Sequence, residues 1–378
     1  MNWRIPLFKI YWDEEDIEAV TRAIKEGAYW TLGPNIAQFE EEISEYLGSK
    51  HCVTFNSGTS ALHAVLLAYG IGQGDEVIVP SFTFIATANA PLFVEAKPVF
   101  ADIEEKTLGL DPEDVRRRIS EKTKAIIPIH YAGCPCLIGE LRKVAQDYNL
   151  ILIEDAAEAL GASVNGRKAG TFGDSSILSF CQNKVITTGE GGAVVTDSKE
   201  LYERLRLIRS HGRLETSDYF SSPEYMDYVT LGYNFRMSNI TAALGLAQLN
   251  KVDKIIDMRR KKAHLMSQKL PQVEEITIPE PPEGFYHVYQ MYPIRITDRL
   301  RDDLLKHLTG KGIATKVNFH PIHLSTFYKD RFGYTGGELP MTEKLSKEVL
   351  TLPMYPTLSE EHIAYICEEI GNFFSQRR

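Results

Sequence analysis

Apolar residues in the first fifty positions recur at helical spacing. Ile17, Val20 and Ile24 fall on one face of a helix that Asp13 can cap and Gly27 can end. A second helix, ending at Gly48, has its apolar positions on one side at Ile36, Phe39, Ile43, Tyr46 and Leu47. The pattern therefore predicts two amphipathic helices after a short extended arm.

From residue 50 onward the pattern changes to short apolar runs separated by helical segments. The predicted strands cover residues 52–55, 77–79, 98–101, 125–130, 150–154, 176–180 and 193–196. Predicted helices lie after Thr59, upstream of Pro91, and after Asp111-Pro112, Gly139 and Ser198. Fully apolar strands that alternate with helices are typical of an α/β fold with a mainly parallel sheet.

A different pattern follows a long predicted helix over residues 238–269. The Pro-rich segment 278–285 reads as a linker. Beyond it we predict strands over 287–296 and 313–317, a helix over 300–311 and a C-terminal helix from about Ser359. We therefore expect an arm (1–12), a large α/β domain (13–250) and a small α+β domain (251–378).

Composition narrows the possible partners and compartment. The chain has 378 residues, 43% hydrophobic and 25% charged, with a net charge of −9. These values, together with the lack of a basic cluster or long apolar run, argue against nucleic-acid or membrane binding. The five cysteines and an N-terminus unlike a secretory signal predict a cytoplasmic protein with reduced thiols. Cys134 and Cys136 are spaced unlike metal ligands, so we expect structural thiols there.

Three groups carry candidate chemistry. Residues 56–62, Asn-Ser-Gly-Thr-Ser-Ala-Leu, follow a strand and begin a helix, which is typical of an anion cradle and also of an ordinary N-cap. Asp155 ends a strand at the sheet edge where α/β proteins bind ligands. Lys184 lies between two buried strands, where an unused lysine is costly, although a surface hairpin lysine also fits.

Together these groups match one cofactor, pyridoxal 5′-phosphate. Its aldehyde needs an amine for a Schiff base, its pyridine nitrogen needs an anion, and its phosphate needs N–H donors. Lys184, Asp155 and the cradle supply these in turn. No metal is expected.

The chain resembles the DegT/StrS group of sugar aminotransferases, which are fold-type-I pyridoxal-phosphate enzymes. The resemblance lies in Asp155 within LIEDAAEALGA, in the segment GDSSILSFCQNKVITTGEGGAVVT around Lys184, and in five further stretches. Those stretches are residues 33–48, 56–90, 97–103, 231–249 and 319–324. The resemblance implies an aspartate-aminotransferase-like fold and a homodimer with shared active sites.

The resemblance also assigns roles to residues. Lys184 would hold the cofactor and shuttle the substrate proton, Asp155 would pair with the pyridinium nitrogen, and Glu158 would lie near the ring hydroxyl. Phe84 would stack on the ring, although core packing is an alternative role for it. The remaining implied contacts are phosphate binding by Gly58, Thr59, Ser60 and Ser179, phosphate binding in the partner's site by Asn234, and weaker substrate contacts by His320, His323 and Arg236.

Two segments depart from the family pattern. Residues 181–183, before Lys184, are Cys-Gln-Asn where the family commonly has an aromatic residue or His followed by Pro or Asp. Residues 136–139 replace a segment that usually ends in Asp-Met-Asp. Neither change affects the cofactor, but both lie in the region expected to shape the substrate pocket.

The expected activity is transfer of an amino group from glutamate to a nucleotide-linked keto sugar, a 4-keto-6-deoxyhexose. A 3-keto sugar, a keto-cyclitol, a pyridoxal-phosphate racemase or lyase and a non-catalytic cofactor-binding regulator are the alternatives. In the related sugar dehydratases a His replaces the Schiff-base lysine, so Lys184 argues against that reaction.

Overall fold

A computed structural model describes residues 3–214, 223, 225–270, 273–297 and 299–377. Its central feature is a seven-stranded sheet in the order β1-β9-β8-β5-β4-β2-β3. The strands are β1 (His51–Phe55), β2 (Glu76–Pro80), β3 (Lys97–Ala101), β4 (Thr123–Ile126), β5 (Ile151–Asp155), β8 (Ser175–Ser179) and β9 (Gly192–Thr196). Only β9 runs against its neighbours, while the β3-β2-β4-β5-β8 pairs are parallel. The predicted mainly parallel sheet is confirmed.

Helices pack against this sheet and continue into the C-terminal region. The first seven are α1 (Glu14–Glu26), α2 (Pro34–Leu47), α3 (Gly58–Ala68), α4 (Ile85–Phe93), α5 (Pro112–Arg118), α6 (Ile138–Asp147) and α7 (Lys199–Arg209). They are followed by α8 (Asn239–Leu249), α9 (Val252–Lys269), α10 (Arg301–Gly310), α11 (Thr326–Phe332), α12 (Pro340–Glu348) and α13 (Glu360–Ser375). Each predicted helical segment is present, although the one predicted over 238–269 forms two helices.

The smaller strands form two further sheets. One contains β10 (Ile276–Thr277), β12 (Tyr292–Ile296) and β13 (Val349–Leu352) in the order β10-β12-β13. The other contains β6 (Ser163–Val164), β7 (Arg167–Lys168) and β11 (Phe285–Tyr286) in the order β11-β6-β7. The strand predicted over 313–317 is wrong, because this segment makes only isolated bridges, from Ile313 to Ile5 and from Lys316 to Thr351.

Helix α1 has the predicted caps but buries a different face. Ile17 and Ile24 are each 46% exposed, whereas Asp16 and Ala23 are buried. The Asp16 carboxylate accepts hydrogen bonds from Gln248 (3.0 Å) and Lys251 (3.1 Å), which anchor α1 to the α8–α9 region. The charged hydrogen bonds of Asp16 therefore set which face of α1 is buried, and the periodicity-based prediction of an isoleucine face is wrong.

The predicted helix over 238–269 is divided between α8 and α9. Ile255 and Ile256, near the start of α9, pack in the core of the large sheet, and Ala263 and Met266 pack in the C-terminal core. The arm residue Ile5 is also in the C-terminal core. A domain boundary near residue 250 stays a prediction, and α9 is the element that both cores share.

Two composition-based expectations can be compared with the structure. All five cysteines are free thiols, and Cys134 and Cys136 are buried. Among the described residues, no helix is long and apolar enough to cross a membrane.

Candidate active site

The carboxyl ends of β1, β5 and β8 open onto a cavity of about 390 Å³, which we call the central cavity. Asp155 is the last residue of β5 and Ser179 the last of β8, and the start of α3 follows β1. The cavity is lined by Ser57, Gly58, Thr59, Leu62, Phe84, Ala86, Thr87, Ile129, Asp155, Ala157, Glu158, Ile177, Ser179, Cys181, Asn183, Lys184, Glu190, Met291, Lys316, Asn318 and Phe319.

Asp155 is a nearly fully buried carboxylate, 3% exposed. Its Oδ2 accepts a hydrogen bond from the Thr87 hydroxyl (2.7 Å) and its Oδ1 from the Ala157 N–H (3.2 Å). Burial raises the pKa of Asp155, and these two hydrogen bonds and the charge of Lys184 act in the opposite direction. Such a carboxylate is suited to pair with a cationic partner in the cavity.

The residue before Asp155 fixes the end of β5. The Glu154 carboxylate is fully buried and accepts N–H hydrogen bonds from Gly170 (2.8 Å), Phe172 (2.6 Å) and Gly173 (2.6 Å). His130 Nε2 lies 2.9 Å from the same carboxylate. Because four groups contact Glu154, the strand end that carries Asp155 is held in one position.

Lys184 points into the central cavity and is paired there. Its Nζ lies 3.4 Å from Glu158 Oε1, and both side chains are largely buried. The other oxygen of Glu158 accepts a hydrogen bond from the Ala132 N–H (2.9 Å), which orients the carboxylate. Lys184 and Asp155, identified separately from the sequence, therefore lie at one site.

The predicted anion cradle occupies the start of α3. Ser57 caps the helix, with its Oγ accepting from the Ser60 N–H at 3.0 Å. A Cβ on Gly192 would lie 2.5 Å from Gly58 N, and a Cβ on Gly58 would lie 3.1 Å from Ser179 Cβ. The close approach of β9 to the helix start thus requires bare backbone.

The three hydroxyl residues of the predicted cradle do not all lie at the cavity. Ser179 and Thr59 line the central cavity. Ser60 is not among the lining residues, and its Oγ lies 2.7 Å from Asn56 Oδ1 in the cap. The N-cap alternative considered for this motif therefore describes Ser60, while Gly58 and Thr59 remain at the cavity wall.

Phe84 lies at the cavity with 57% of its surface exposed. Its ring centroid is 6.5 Å from that of Phe319, at an angle of 57°. A ring this exposed does not serve as core packing, and its stacking on a ligand stays a prediction.

The predicted substrate and partner residues do not line the central cavity. Asn234 and His320 are exposed, and Arg236 hydrogen-bonds Ser210 at 3.3 Å. His323 is corrected: it is fully buried, with Nδ1 2.7 Å from Ser81 Oγ and Nε2 3.2 Å from Glu343. These contacts make His323 a structural residue in this chain.

Sequence reasoning missed several lining residues. Thr87 lies in the first turn of α4. Lys316, Asn318 and Phe319 come from a segment in which only the nearby histidines were predicted to bind substrate. The ATANA segment around Thr87 was within a family-like stretch, so a polar residue early in α4 was the available signal. No comparable signal pointed to Lys316.

These residues fit pyridoxal phosphate by their chemistry. The cavity contains an amine (Lys184), a buried carboxylate (Asp155), an exposed aromatic ring (Phe84) and a helix start with bare backbone (Gly58). These are the groups that the aldehyde, pyridinium nitrogen, ring and phosphate of the cofactor require.

Comparison with known proteins identifies the family. The model of the DegT/DnrJ/EryC1/StrS aminotransferase family matches residues 11–371. The chain belongs to this family. It is therefore a pyridoxal-phosphate-dependent aminotransferase of fold type I, as the resemblance implied.

Individual relatives cover nearly the whole chain. GDP-perosamine synthase of Escherichia coli O157:H7 is 36% identical over 374 residues, covering 99% of this chain and 99% of the relative. The solved structure of Helicobacter pylori PseC, an aminotransferase involved in pseudoaminic acid biosynthesis, has a TM-score of 0.93 at 30% identity and covers 98% of this chain and 99% of its own. The pyridoxal-phosphate form of Streptococcus pneumoniae Spr1654, a putative sugar aminotransferase, has a TM-score of 0.91 at 27% identity, with 100% and 99% coverage.

Proposed function

We propose that this enzyme transfers an amino group from glutamate to a nucleotide-linked 4-keto-6-deoxyhexose, producing a nucleotide-linked amino sugar. The observation that carries the proposal is the convergence of Lys184, Glu158 and Asp155 in one cavity beside a bare-backbone helix start. The similarity to a GDP-perosamine synthase over almost the full length supports a nucleotide sugar as acceptor. The similarity to SpsC of Bacillus subtilis, a spore coat polysaccharide biosynthesis protein, supports a role in polysaccharide biosynthesis.

Some of the residues bind the cofactor, and others take part in the reaction. We assign phosphate binding to Gly58, Thr59 and Ser179, and we assign Ser60 to the helix cap, where its N–H donates to Ser57 Oγ. Phe84 covers one face of the ring. When bound, pyridoxal phosphate supplies an electron sink for the pair left behind when the substrate proton departs.

Three side chains, Asp155, Lys184 and Glu158, are assigned to binding, transferring or positioning protons. Asp155, whose anionic form is favoured by the hydrogen bonds from Thr87 and Ala157, would hold a proton on the pyridine nitrogen. Lys184 would bond to the cofactor's aldehyde, and its Nζ would move the proton between the substrate carbon and the carbon of that former aldehyde. Glu158 keeps Nζ oriented, since its Oε1 is 3.4 Å from that nitrogen.

We further propose that the active form is a cytoplasmic homodimer in which Asn234 contacts the phosphate in the partner's site and Arg236 lies beside it. In support, Asn234 is exposed on a segment outside this chain's own cavity lining. Large apolar residues are also exposed near the N-terminus and close to that segment, with Trp12 at 60%, Trp30 at 54% and Leu231 at 77%. Apolar surface of this kind is typical of a protein interface.

A spectroscopic half-reaction tests the proposal. Purified enzyme loaded with pyridoxal phosphate should lose absorbance near ~420 nm and gain it near ~330 nm when glutamate is added. A panel of nucleotide-linked 4-keto and 3-keto sugars and keto-cyclitols should then restore the first band, with the 4-keto-6-deoxyhexose fastest. Lys184→Ala should bind the cofactor without the ~420 nm band and show no turnover.

Each negative result points to a different alternative. A wild-type protein that binds the cofactor but converts it with no amino donor would be the non-catalytic regulator. If only a 3-keto sugar or a keto-cyclitol restored the first absorbance band, that compound class would be the amino acceptor. Turnover by Lys184→Ala would overturn the residue assignments.

A further inference from the structure

Lys316 is a cation in the central cavity that the proposed reaction has not used. Lys316 is exposed and lines the cavity. It comes from the segment after α10, whereas the proposed cofactor residues that line the cavity lie between Gly58 and Lys184 in the chain. Among the described residues, its ammonium group makes no hydrogen bond or ion pair. This distinguishes it from Lys184, whose Nζ contacts Glu158.

The charge inventory of the central cavity shows why this cation matters. Its described lining residues include three carboxylates, Asp155, Glu158 and Glu190, and two lysines, Lys184 and Lys316. Once Lys184 is bonded to the cofactor, Lys316 is the lysine that remains for a substrate. Glutamate, its keto-acid product and a nucleotide-diphosphate sugar are all anions, so each needs a cationic partner in this cavity.

The backbone around Lys316 is held in place from two sides. Lys316 and Thr351 exchange hydrogen bonds, with Lys316 N donating at 3.2 Å and Thr351 N at 2.8 Å. Two residues further on, the Tyr131 hydroxyl donates to the Asn318 carbonyl oxygen. Thr351 lies in β13 of the small sheet and Tyr131 follows β4 of the large sheet, so contacts with both regions hold the segment.

A neighbouring polar group also lacks a protein partner. Asn318 lines the central cavity and is 8% exposed, and its Oδ1 makes no hydrogen bond within the described residues. Because the unpartnered atom is an oxygen, an N–H or O–H group of a ligand would supply the missing donor and stabilise it. The oxygen provides a second indication, independent of charge, that this wall contacts a bound molecule.

We propose that Lys316 forms an oxyanion-binding subsite for the substrates, and that Asn318 Oδ1, two residues further along the chain, accepts a hydrogen bond from an N–H or O–H group of the same ligand. This inference rests on the proposed function and adds the residue that recognises the anionic group. The ligand is either the carboxylate of the amino donor or the diphosphate of the acceptor, since both present oxygen anions that an ammonium group binds. In a reaction with two successive half-reactions, one cation can serve both.

Binding of unreactive probes to the cofactor-loaded enzyme tests the subsite without turnover. Glutarate represents the carboxylates, because it has no amine to react, and GDP represents the diphosphate. By titration calorimetry, Lys316→Met should weaken the binding of at least one probe by about fivefold or more, and Lys316→Arg should restore most of it. The exposed Lys329→Met serves as the matched control and should change neither affinity.

The pattern of losses identifies the ligand. Weaker glutarate binding alone assigns the donor carboxylate, weaker GDP binding alone assigns the diphosphate, and loss of both assigns a shared subsite. The wild-type affinity should also fall with added salt more steeply than that of Lys316→Met. Unchanged affinity for both probes in Lys316→Met, or no binding of either by the wild type at millimolar concentration, overturns the inference.

The glutamate half-reaction separates this result from a failure of the proposed function. A wild-type enzyme that loses its ~420 nm band with glutamate, beside a Lys316→Met variant with normal probe affinity, refutes the subsite alone. A wild type without that spectral change refutes the proposed reaction, whatever the calorimetry shows.

Discussion

Asp155 has to remain an anion while it is 3% exposed, and Thr87 is the residue that contributes most to this. The Thr87 hydroxyl is itself buried, donates to Asp155 Oδ2 at 2.7 Å and lies 3.1 Å from the Thr83 hydroxyl. A carboxylate that receives a hydrogen bond is stabilised in its charged form. Thr87 therefore acts on the cofactor through Asp155, as a positioning residue.

Replacing Thr87 by Val removes the hydroxyl and preserves the shape of the side chain. The pKa of Asp155 should rise further, because the hydrogen bond that lowers it is lost. A protonated Asp155 cannot pair with a protonated pyridine, so cofactor affinity should begin to fall at a higher pH than in the wild type. The measurement is cofactor dissociation constant against pH, together with the ¹⁵N shift of labelled cofactor, which reports pyridine protonation directly.

Two variants serve as controls for this effect. Thr87→Ser retains the hydroxyl and should keep the wild-type pH profile, and Thr83→Val removes a hydroxyl that does not contact Asp155. Identical pH profiles and ¹⁵N shifts in Thr87→Val and wild type would show that Thr87 only fills space.

At the scale of elements, the phosphate cradle depends on how closely β9 approaches the start of α3. Gly192 lies where an added Cβ would be 2.5 Å from Gly58 N and 2.5 Å from the Ser57 carbonyl carbon. Those atoms belong to backbone, so they cannot rotate aside. We expect Gly192→Ala to push the strand and the helix start apart.

The expected result is a loss of cofactor affinity of at least about tenfold and destabilisation of about 1–3 kcal/mol, since overpacking against backbone is costly. Dialysis followed by absorbance measures the first, and urea unfolding measures the second. Gly139→Ala in α6 is the control, because its Cβ would meet nothing within 4 Å, and it should leave both quantities unchanged or raise stability by about 0.5–1 kcal/mol. Normal cofactor affinity in Gly192→Ala would contradict the account of the cradle.

A second prediction at this scale concerns the network that attaches α1. Lys251, whose side chain is 5% exposed, contacts the carboxylates of Asp13 and Asp16. Lys251→Met leaves the buried Asp16 carboxylate without its cation, which should lower the free energy of unfolding by about 3 kcal/mol. Lys261→Met, an exposed change within α9, the helix that begins directly after Lys251, should stay within about 0.5 kcal/mol. Equal urea midpoints for the two variants would mean that the network contributes little.

At the scale of the whole molecule, the proposed dimer makes each site depend on two chains. Sedimentation should give twice the 42.7 kDa chain mass. Asn234→Ala and Lys184→Ala should each be inactive or nearly so for different reasons, the first through weakened phosphate binding from the partner. Mixed by unfolding and refolding together, they form some dimers in which one site carries both intact residues.

Complementation should therefore recover about a quarter of the wild-type activity at equal proportions, because half of the dimers are mixed and each has one intact site. The control is the same mixing of Lys184→Ala with Asp155→Ala, which should recover none, since both residues line the same chain's cavity. No recovery with Asn234→Ala would place Asn234 in the site of its own chain, or outside any site.

Local patterns predicted the elements and the main chemical groups well, and contacts between distant segments decided the remainder. Apolar runs identified the strands of the large sheet, and the motifs around Lys184 and Asp155 identified the cofactor groups. Helical periodicity predicted that Ile17 and Ile24 lie on the buried face of α1. Asp16 is buried there instead, because it pairs with Lys251. His323 was expected near substrate and is buried against Ser81 and Glu343.

By itself, the sequence determined the succession of strands and helices, the cofactor chemistry and the bare-backbone turn before α3, because each depends on residues close together in the chain. Only the tertiary structure decided that Thr87 reaches Asp155 and that Lys316, which follows α9 and α10 in the chain, reaches the same cavity. Those contacts depend on how α4 packs on the sheet and on how Thr351 and Tyr131 hold the 316–319 segment. Spacing along a chain carries no information about such distances until the chain has folded.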